Sequence, residues 1–402
     1  MKVQRLTMKD KIMGPLRHRI PTFFLIFWSG LLLAGERARD LGIQIGVFPP
    51  GTRDAITDVS GVRVGQVTLN RGSGKLVVGK GPVRTGVTVI IPAPGDLLGS
   101  KLMAGSYVMN GNAEATGLVY LQETGVLENP IALTNTNSVG TVHRGMIEAM
   151  RLTRSDTGAV TPLVMECDDS TLNDLMGQHV EIKHVLQAYQ SASEQVEEGS
   201  VGAGTGMMSF DFKSGIGTAS RVVSIGTKKY TVGVLLNSNL GSATRGTLRL
   251  AGIPIGKEIK DLMPEEPGKD QKGAGSAVMV VATDAPLDSR QLSRLAKRAF
   301  NGPVRMGTVG YHGSGELVVA FSTANRIPEK QKDPVIKINV LLDPETNDLF
   351  EAVSDASEEA LINSLLAAKT MTGRDGNKVY ALPHERLKPL LRKYHVVEKT
   401  QE

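Results

Sequence analysis

The stretch that decides the fold is residues 230–256, which read YTVGVLLNSNLGSATRGTLRLAGIPIG. Its first part, residues 230–236, is a short run of β-branched and aliphatic side chains that stops at Asn237, and this pattern predicts a buried strand. The strand leads into Asn239, Gly241 and Ser242. A glycine–serine pair after a strand is most often a turn, so the segment predicts a strand that ends in a tight turn carrying a hydroxyl group.

Four further runs predict buried strands, and four stretches have helical periodicity. The strands are expected at residues 87–91, 277–282, 317–321 and 335–342, and the helices at 142–152, 182–196, 289–300 and 358–371. Asp355 with Glu358 resembles a capping box for the last helix, and Gly373 suits its end. Because the strands come in adjacent groups and the helices in separate groups, the order favours layered α+β packing over a doubly wound parallel sheet.

The composition is that of a globular chain. Of 402 residues, 41% are hydrophobic and 22% are charged, which excludes intrinsic disorder, collagen and coiled coil. The single cysteine, Cys167, excludes an intrachain disulfide and a thiolate zinc cluster, and we expect it to be an ordinary buried residue. The histidines show no metal-ligand spacing, so no metal site is expected.

The first 35 residues differ from the rest of the chain. They carry six basic side chains and one acidic one, which is six minus one or +5, equal to the net charge of the whole sequence. The remainder is therefore neutral and offers no basic surface for nucleic acid. An uncharged stretch follows at residues 20–35 and is shorter than the roughly 20 residues that span a bilayer. The pattern predicts a signal peptide over residues 1–35 and a periplasmic or secreted protein. An uncleaved anchor, or a mis-chosen start codon before a cytoplasmic enzyme, are the alternatives.

Other kinds of catalytic site have little support. No G-x-S-x-G motif is present, so an α/β-hydrolase triad is not indicated. Residues 202–206, Gly-Ala-Gly-Thr-Gly, lack the third glycine of a dinucleotide fingerprint and the lysine of a phosphate loop. They are compatible with a nucleotide cradle, with a bend that needs close backbone approach, or with a loop that turns its N–H groups toward a reacting oxygen.

Several segments carry a resemblance to one known family. Asn239, Gly241 and Ser242, followed by residues 249–256 (RLAGIPIG), closely resemble the self-processing junction of the L-aminopeptidase/D-Ala-esterase/amidase and β-aminopeptidase family. Eight more stretches resemble short sequence motifs of that family and occur in the same order: residues 55–65, 110–117, 133–140, 201–207, 215–221, 282–287, 321–324 and 370–376. Together they extend over more than 300 residues, so the chain is identified as a member of this family.

The resemblance implies a fold and a maturation step. The fold is a four-layer αββα sandwich that resembles the N-terminal-nucleophile hydrolases, with a different connectivity. Residues 36–402 would form a single catalytic domain that cuts its own backbone into 36–241 and 242–402. Gly241 would end the first fragment, and Ser242 would become both the new N-terminus and the nucleophile.

This assignment of Ser242 agrees with elementary chemistry. A hydroxyl nucleophile needs a base within hydrogen-bond reach, and a freed α-amine, with a pKa of about 7.7–8.0, can supply it. No histidine partner is then required, which suits a chain whose histidines form no catalytic pattern. Gly241 suits the cleavage because it lacks a Cβ atom and permits a strained peptide and close approach of the hydroxyl.

Three other residues receive roles in substrate binding from the resemblance. Glu114 is expected to meet the ammonium group of the substrate, or else to be a solvated or helix-capping acid. Asn137 is expected to line the pocket or the oxyanion site, or else to form an Asx-turn. Ser200 stands where relatives often carry an asparagine that polarises the substrate carbonyl, and its alternative is a serine at a helix end.

A hydroxyl and a carboxylate on a later strand complete the expected site. The candidates are Ser276 and Asp284, although Ala282 occupies one place where a partner hydroxyl is expected. Asp284 has a competing role as the N-cap of the helix that begins at Ser289.

The sequence therefore predicts a self-processing serine aminopeptidase or amidase. It would release N-terminal amino acids from short peptides, amides or esters through an acyl-enzyme at Ser242. No metal or organic cofactor, nucleic acid or lasting membrane span is implied, and the resemblance implies a homo-oligomer of processed chains. One alternative is an acyl transferase of the ornithine acetyltransferase type, whose nucleophile is threonine. The other is a non-cleaving binding or structural relative, disabled at Ser200 and Ala282.

Overall fold

A computed structural model describes residues 36–154, 158–241, 244–266 and 275–397. The predicted signal peptide and Ser242 lie outside the described residues. The described residues belong to one compact unit. Within the described ranges, no helix has both the length and the apolar character needed to cross a membrane.

Within the described residues, the strands form two large sheets and two short two-stranded ladders. In chain order the strands are β1 (Arg63–Arg71), β2 (Val83–Ile91), β3 (Ser100–Gly111), β4 (Ala115–Thr116), β5 (Val126–Leu127), β6 (Ile131–Asn135), β7 (Leu163–Cys167), β8 (Met208–Ser209), β9 (Phe212–Lys213), β10 (Ile216–Ile225), β11 (Lys228–Asn239), β12 (Ser276–Thr283), β13 (Gly315–Pro328), β14 (Met371–Thr372) and β15 (Lys378–Val379). The first sheet has the order β1-β2-β6-β7-β4 and the second β10-β11-β12-β13-β3-β5. Both are mixed, because β6 pairs with β7 and β12 with β13 in parallel while the other neighbours are antiparallel.

The described residues also form helices, several of which pack on the two sheets. They are α1 (Leu118–Thr124), α2 (Val139–Arg151), α3 (Ile182–Gln190), α4 (Ile255–Glu258), α5 (Ser289–Ala299), α6 (Asn301–Met306), α7 (Asn347–Leu366) and α8 (His384–Lys393). Helices α2 and α3 pack on the first sheet, whereas α5 and α7 pack on the second.

Three clusters of buried apolar side chains hold neighbouring layers together. One joins α2 and α3 to the first sheet, for example Met146 and Val185 against Val89. A second lies between the sheets, and a third joins the second sheet to α5 and α7. The layers therefore run helix, sheet, sheet, helix, which is the predicted αββα sandwich.

Strand β11, an inner strand of the second sheet, shows why the run at residues 230–236 is mostly apolar. Val234 and Leu236 face the outer helices, whereas Leu235 faces the other sheet. Side chains alternate between the faces of a strand, and a strand covered on both faces needs apolar residues at every position. The strands predicted at residues 87–91, 230–236, 277–282 and 317–321 are confirmed as parts of β2, β11, β12 and β13.

The strand predicted at residues 335–342 is wrong. These residues are mostly exposed and pair with no strand of the described chain. Side-chain contacts hold the segment instead: Asn325 donates to the carbonyl oxygen of Asn339 (2.8 Å) and accepts from its N–H (3.0 Å). β-Branched composition indicates a strand only where a partner strand is available.

The helix predictions are confirmed for α2, α3 and α5, although α3 ends six residues before the expected Val196. The last helix is mis-bounded, because α7 runs from Asn347 to Leu366. Asp355 and Glu358 therefore lie inside it, and Gly373 lies beyond its end. Nearly all side chains of α7 are buried, and a helix buried on all sides lacks the one-sided periodicity that marks a helix start.

Buried charges tie the first described residues to this core. The guanidinium of Arg221 on β10 is fully buried and donates to Glu359 of α7 and to the carbonyl oxygen of Ile45. Arg39 contacts the same carboxylate at 2.9 Å and Asp54 at 3.0 Å. Burial, together with the neighbouring Asp54, raises the pKa of Glu359. The network fixes the N-terminal segment against α7 and β10.

Glu359→Ala should strongly destabilise the protein. Removing one partner leaves the buried Arg221 charge poorly compensated, and such losses cost about 3–5 kcal/mol. The free energy of unfolding should fall by that amount in urea titrations followed by circular dichroism. Arg290→Ala, which removes an exposed pair with Asp343, is the control and should change the midpoint little. Equal shifts in both variants would contradict the role given to the buried network.

Candidate active site

A cavity of about 230 Å³ opens where the ends of several strands meet. The carboxyl ends of β6, β7 and β11 and the start of β12 all reach it. Its lining residues are Asn112, Thr136, Glu166, Asp168, Ser170, Thr171, Met208, Asn239, Gly241, Glu266, Gly275, Ser276 and Gly313. The residues that precede the predicted nucleophile, Asn239 and Gly241, therefore share one cavity with Ser276.

Asn239 holds the end of β11 in place. Its amide oxygen accepts from the N–H of Met208 (3.0 Å), and its amide nitrogen donates to the carbonyl oxygen of Asp168 (2.8 Å) and to the hydroxyl of Ser276 (3.4 Å). One side chain thus connects β8, the loop after β7 and the start of β12. These contacts fix the turn that leads to Gly241.

Gly241 lies in a conformation that favours glycine. Its φ is 77°, in the left-handed region that side chains with a Cβ atom resist. The N–H of Gly241 donates to the carbonyl oxygen of Met208 (3.1 Å), and the carbonyl oxygen of Gly241 accepts from the N–H of Asp211 (3.3 Å). The carbonyl carbon of the expected cleavage site is therefore held between two backbone hydrogen bonds.

A chain of buried hydroxyls lies beneath this turn. Ser209 and Ser238 share a hydrogen bond of 2.6 Å, and the N–H of Leu240 donates to the hydroxyl of Ser209 (2.9 Å). Ser214 donates to the carbonyl oxygen of Ser238 (2.8 Å), and its hydroxyl oxygen lies 3.1 Å from that of Ser209. These bonds fix the backbone just before the junction without any charged group.

The wall of the cavity is acidic. Glu166 is buried, and its carboxylate accepts from the N–H of Glu114 (3.0 Å) and from the hydroxyl of Thr136. Burial raises the pKa of Glu166, although these two hydrogen bonds oppose the rise. Asp168 and Glu266 also line the cavity, and none of the described lining residues is basic. A positively charged group would be attracted to such a wall.

The glycine-rich loop at residues 202–206 is a structural bend. The N–H groups of Gly202 and Ala203 donate to the hydroxyls of Thr68 (2.8 Å) and Thr88 (3.1 Å) on the first sheet. A Cβ atom on Gly202 would come within 2.4 Å of Thr88 Oγ1, so close backbone approach explains the glycine. Because these N–H groups bind threonines of the sheet, the bend is favoured over a nucleotide cradle.

A buried lysine fastens this loop to the strand that follows. The Nζ of Lys213 donates to the carbonyl oxygens of Met207 (2.8 Å), Ser214 (2.7 Å) and Gly204 (3.4 Å). Burial lowers the pKa of Lys213 to about 7 and raises that of the buried Asp169 to about 7. The polar groups under the site are thus largely satisfied by the backbone.

Three predicted residues are absent from the lining of the cavity. Glu114 is exposed, and it is its N–H that contacts Glu166. The amide of Asn137 donates to Met176 Sδ (3.2 Å), next to the lining residue Thr136. Ser200 is half-buried, and its hydroxyl is enclosed with no hydrogen-bond partner among the described residues.

The structure separates Asp284 from Ser276. Strand β12 runs between them, so the two residues lie about 26 Å apart at roughly 3.3 Å per residue. The carboxylate of Asp284 accepts from the N–H of Thr231 (2.7 Å), and Asp288 rather than Asp284 caps α5. The expectations that Asp284 acts beside Ser276 or caps α5 are therefore corrected. Ala282 is buried in the core between the sheets.

The sequence reasoning missed Glu166, Asp168 and Thr136. All three follow or end strands β6 and β7, which are parallel neighbours. Their carboxyl ends meet at one edge of the sheet, as in the sites formed at the ends of parallel strands. The sequence did contain a signal for this site, because polar residues follow directly after the apolar runs at 131–134 and 163–165.

Histidine and cysteine have structural roles in the described parts of the chain. His179 pairs with Asp174 at 2.8 Å, and His184 accepts from the N–H of Glu181 at 2.9 Å. Cys167 is fully buried, and burial raises the pKa of its thiol. Within these parts no three His, Cys, Asp or Glu side chains are grouped to hold a metal.

Comparison with known proteins identifies the family. The sequence model of peptidase family S58 matches residues 54–379. The chain belongs to peptidase family S58. A β-peptidyl aminopeptidase from Sphingosinicella microcystinivorans is 44% identical over 383 residues, which cover 91% of this chain and 96% of that protein.

Solved structures of relatives have the same fold. The β-aminopeptidase of a Burkholderia species superposes with a TM-score of 0.81 at 41% identity. The match covers 89% of this chain and 99% of that one. The L-aminopeptidase D-Ala-esterase/amidase of Ochrobactrum anthropi, described as a variant of the N-terminal-nucleophile hydrolase fold, superposes with a TM-score of 0.83 at 36% identity, covering 90% and 99%. Membership makes this chain a hydrolase of the serine aminopeptidase and amidase type, and none of these relatives supports the acyl-transferase alternative.

Ser276→Ala and Asp284→Asn should differ sharply in activity. Ser276 lies in the cavity against Asn239, so loss of its hydroxyl should lower kcat by about 100-fold, the lower end of the range for a group that assists proton transfer. Asp284→Asn keeps the acceptor for Thr231 and should retain activity. The test is amidase turnover by both purified variants. Loss of activity in Asp284→Asn alone would contradict the placement of the site.

Proposed function

We propose that the chain cleaves itself between Gly241 and Ser242 and then uses Ser242 as an N-terminal nucleophile. The observation that carries this proposal is the position of Gly241 at the cavity, with a φ of 77° and its carbonyl oxygen bound by the N–H of Asp211. The fragments would be residues 36–241 and 242–402. The family resemblance of the junction supports the same bond.

After cleavage, Ser242 would act with its own α-amine as the base. The neutral amine accepts the proton of the hydroxyl while Oγ attacks the substrate carbonyl, and the leaving amine then departs with a proton. Water resolves the resulting ester and returns the hydroxyl. Ser200 stays the candidate oxyanion donor, because its enclosed hydroxyl lacks a described partner, and Asn137 stays a candidate pocket residue.

We propose that the acidic wall selects substrates with a free amino group. Glu166 and Asp168 line the same small cavity as Gly241, and an ion pair with a partly buried carboxylate can contribute a few kcal/mol. Glu114 lies further out and would add attraction at the rim. Short peptides, amides and esters of small amino acids fit this arrangement. The names of the relatives support both α- and β-amino substrates as candidates.

The N-terminal sequence and an exposed apolar surface bear on where the protein is located and how it assembles. We propose that residues 1–35 direct export, because a basic segment followed by a short apolar stretch is typical of a signal peptide. We also propose a homo-oligomer of processed chains. The exposed apolar side chains of Val335, Val340 and Leu342 offer a surface that a second copy could cover.

Purified protein should consist of two fragments, the smaller beginning at Ser242. That fragment holds 161 of 402 residues, so a proportional share of 42.9 kDa gives about 17 kDa. Ser242→Ala lacks the hydroxyl needed for attack and should stay whole and inactive, whereas Ser242→Thr should process slowly because its added methyl restricts χ1. Intact mass and N-terminal sequencing measure both. Full activity from an uncut chain would exclude the proposed mechanism.

Glu166→Gln should discriminate between substrates. It keeps the shape and one acceptor but removes the charge, so KM for free-amine substrates should rise by about tenfold or more, while N-blocked esters should be affected far less. Glu114→Gln, at the exposed rim, is the matched control and should have a smaller effect. The measurement is the ratio of kcat/KM for the two substrate types. Equal losses on both types would assign Glu166 a purely structural role.

A further inference from the structure

The hairpin of β8 and β9 has a strained tip that faces the cleavage junction. Its two central residues, Phe210 and Asp211, have φ values of 52° and 61°. A type I′ two-residue hairpin needs positive φ at both positions, which glycine, asparagine and aspartate adopt most readily. A phenylalanine there carries a conformational cost. Such strain persists where surrounding contacts impose it, so those contacts identify what the tip does.

The contacts of Asp211 lie on both sides of the junction. Upstream, its N–H donates to the carbonyl oxygen of Gly241 (3.3 Å). Downstream, its Oδ2 accepts from the N–H groups of Thr244 (3.1 Å) and Arg245 (2.8 Å). One residue therefore binds the last described residue before the predicted nucleophile and the first two described residues after it.

Arg245 strengthens this connection from the other side. Its guanidinium donates to the carbonyl oxygens of Phe210 (2.9 Å) and Asp211 (2.8 Å) and stacks on the ring of Phe212 at 3.4 Å from the centroid. It also donates to the carbonyl oxygens of Ile259 and Asp261. Burial lowers the pKa of Arg245 to about 10, so it is charged at neutral pH. The hairpin tip and residues 244–245 thus form one rigid unit.

We propose that Asp211 is a positioning residue for self-cleavage. Its main-chain N–H donates to the carbonyl oxygen of Gly241 and stabilises the negative charge that develops there during cleavage. Its carboxylate fixes Thr244 and Arg245, so that the intervening Ser242 hydroxyl is directed at the carbonyl carbon of Gly241. This inference rests on the proposed cleavage between Gly241 and Ser242. It adds an oxyanion donor and a backbone anchor that serve maturation.

The step balances without any added reagent. The Oγ of Ser242 bonds to the carbonyl carbon of Gly241, the peptide C–N bond breaks, and the hydroxyl proton passes to the leaving α-nitrogen, which gives an ester. Water then adds to the ester, leaving a carboxylate on Gly241, the free hydroxyl and the new amino terminus. In both tetrahedral states the negative charge lies on the oxygen that faces the N–H of Asp211. A donor at 3.3 Å in the resting state can shorten its bond when that oxygen becomes charged.

The carboxylate can be tested by substitution even though the main-chain N–H cannot. Asp211→Gly keeps the N–H and accepts positive φ more readily, but it has no side chain to bind Thr244 and Arg245. Asp211→Asn keeps an acceptor oxygen in nearly the same shape. If anchoring of residues 244–245 matters, Asp211→Gly should slow cleavage by about 10- to 100-fold, as small losses of positioning do, and Asp211→Asn should stay within a few-fold of the parent.

The experiment follows freshly translated full-length chain by intact mass over time. The same substitutions in the uncleavable Ser242→Ala background measure folding, where melting temperatures within about 5 °C of Ser242→Ala alone are expected. A parent-like rate for Asp211→Gly would overturn the inference while leaving self-cleavage intact, and so would equal slowing by both variants. Absence of cleavage in the parent chain would instead overturn the proposed function.

Discussion

The hydrogen bonds made by Asn239 are the constraint on which the site depends. This one amide joins the end of β11 to β8, to the loop after β7 and to Ser276 at the start of β12. Elements from both sheets are therefore fixed relative to Gly241, two residues further along. The sandwich supplies the rigidity, because β11 is buried on both faces and cannot shift without exposing apolar residues on each side.

The chemistry of the site follows from what surrounds that fixed turn. A hydroxyl nucleophile whose base is its own α-amine needs no histidine, and the histidines His179 and His184 are occupied in structural contacts. What the pocket must supply is recognition of the substrate and stabilisation of charge. The carboxylates of Glu166 and Asp168 suit the first need, and hydrogen-bond donors near the turn suit the second.

Much of the fold was predictable because burial on both faces leaves a plain record in sequence. The runs in β2, β11, β12 and β13 are mostly apolar, and α2, α3 and α5 each have one apolar face. The two failures have opposite causes. Residues 335–342 have strand composition but no partner strand among the described residues, whereas α7 buries polar side chains such as Ser354, Asp355 and Glu359, which obscure its apolar pattern.

The site was less predictable than the fold. The segment at Gly241 was identifiable because it resembles a sequence motif of the family. Ser276 lies in the cavity because it pairs with Asn239 at the end of β11. Asp284 was misplaced because eight residues in a strand span the width of the sheet, which spacing alone does not reveal. Glu166 and Asp211 were missed because their roles depend on contacts with residues 52 and 34 positions away, Glu114 and Arg245.

The central claim is that Ser242 carries the acyl group during turnover. Trapping tests it most directly: processed protein is mixed with an amino-acid ester, quenched in acid within milliseconds, and each fragment is weighed and mapped by mass spectrometry. The account predicts a mass increase of one aminoacyl group on fragment 242–402 alone, located on the peptide that begins with Ser242. An adduct on fragment 36–241, or on another side chain of the smaller fragment, would contradict it.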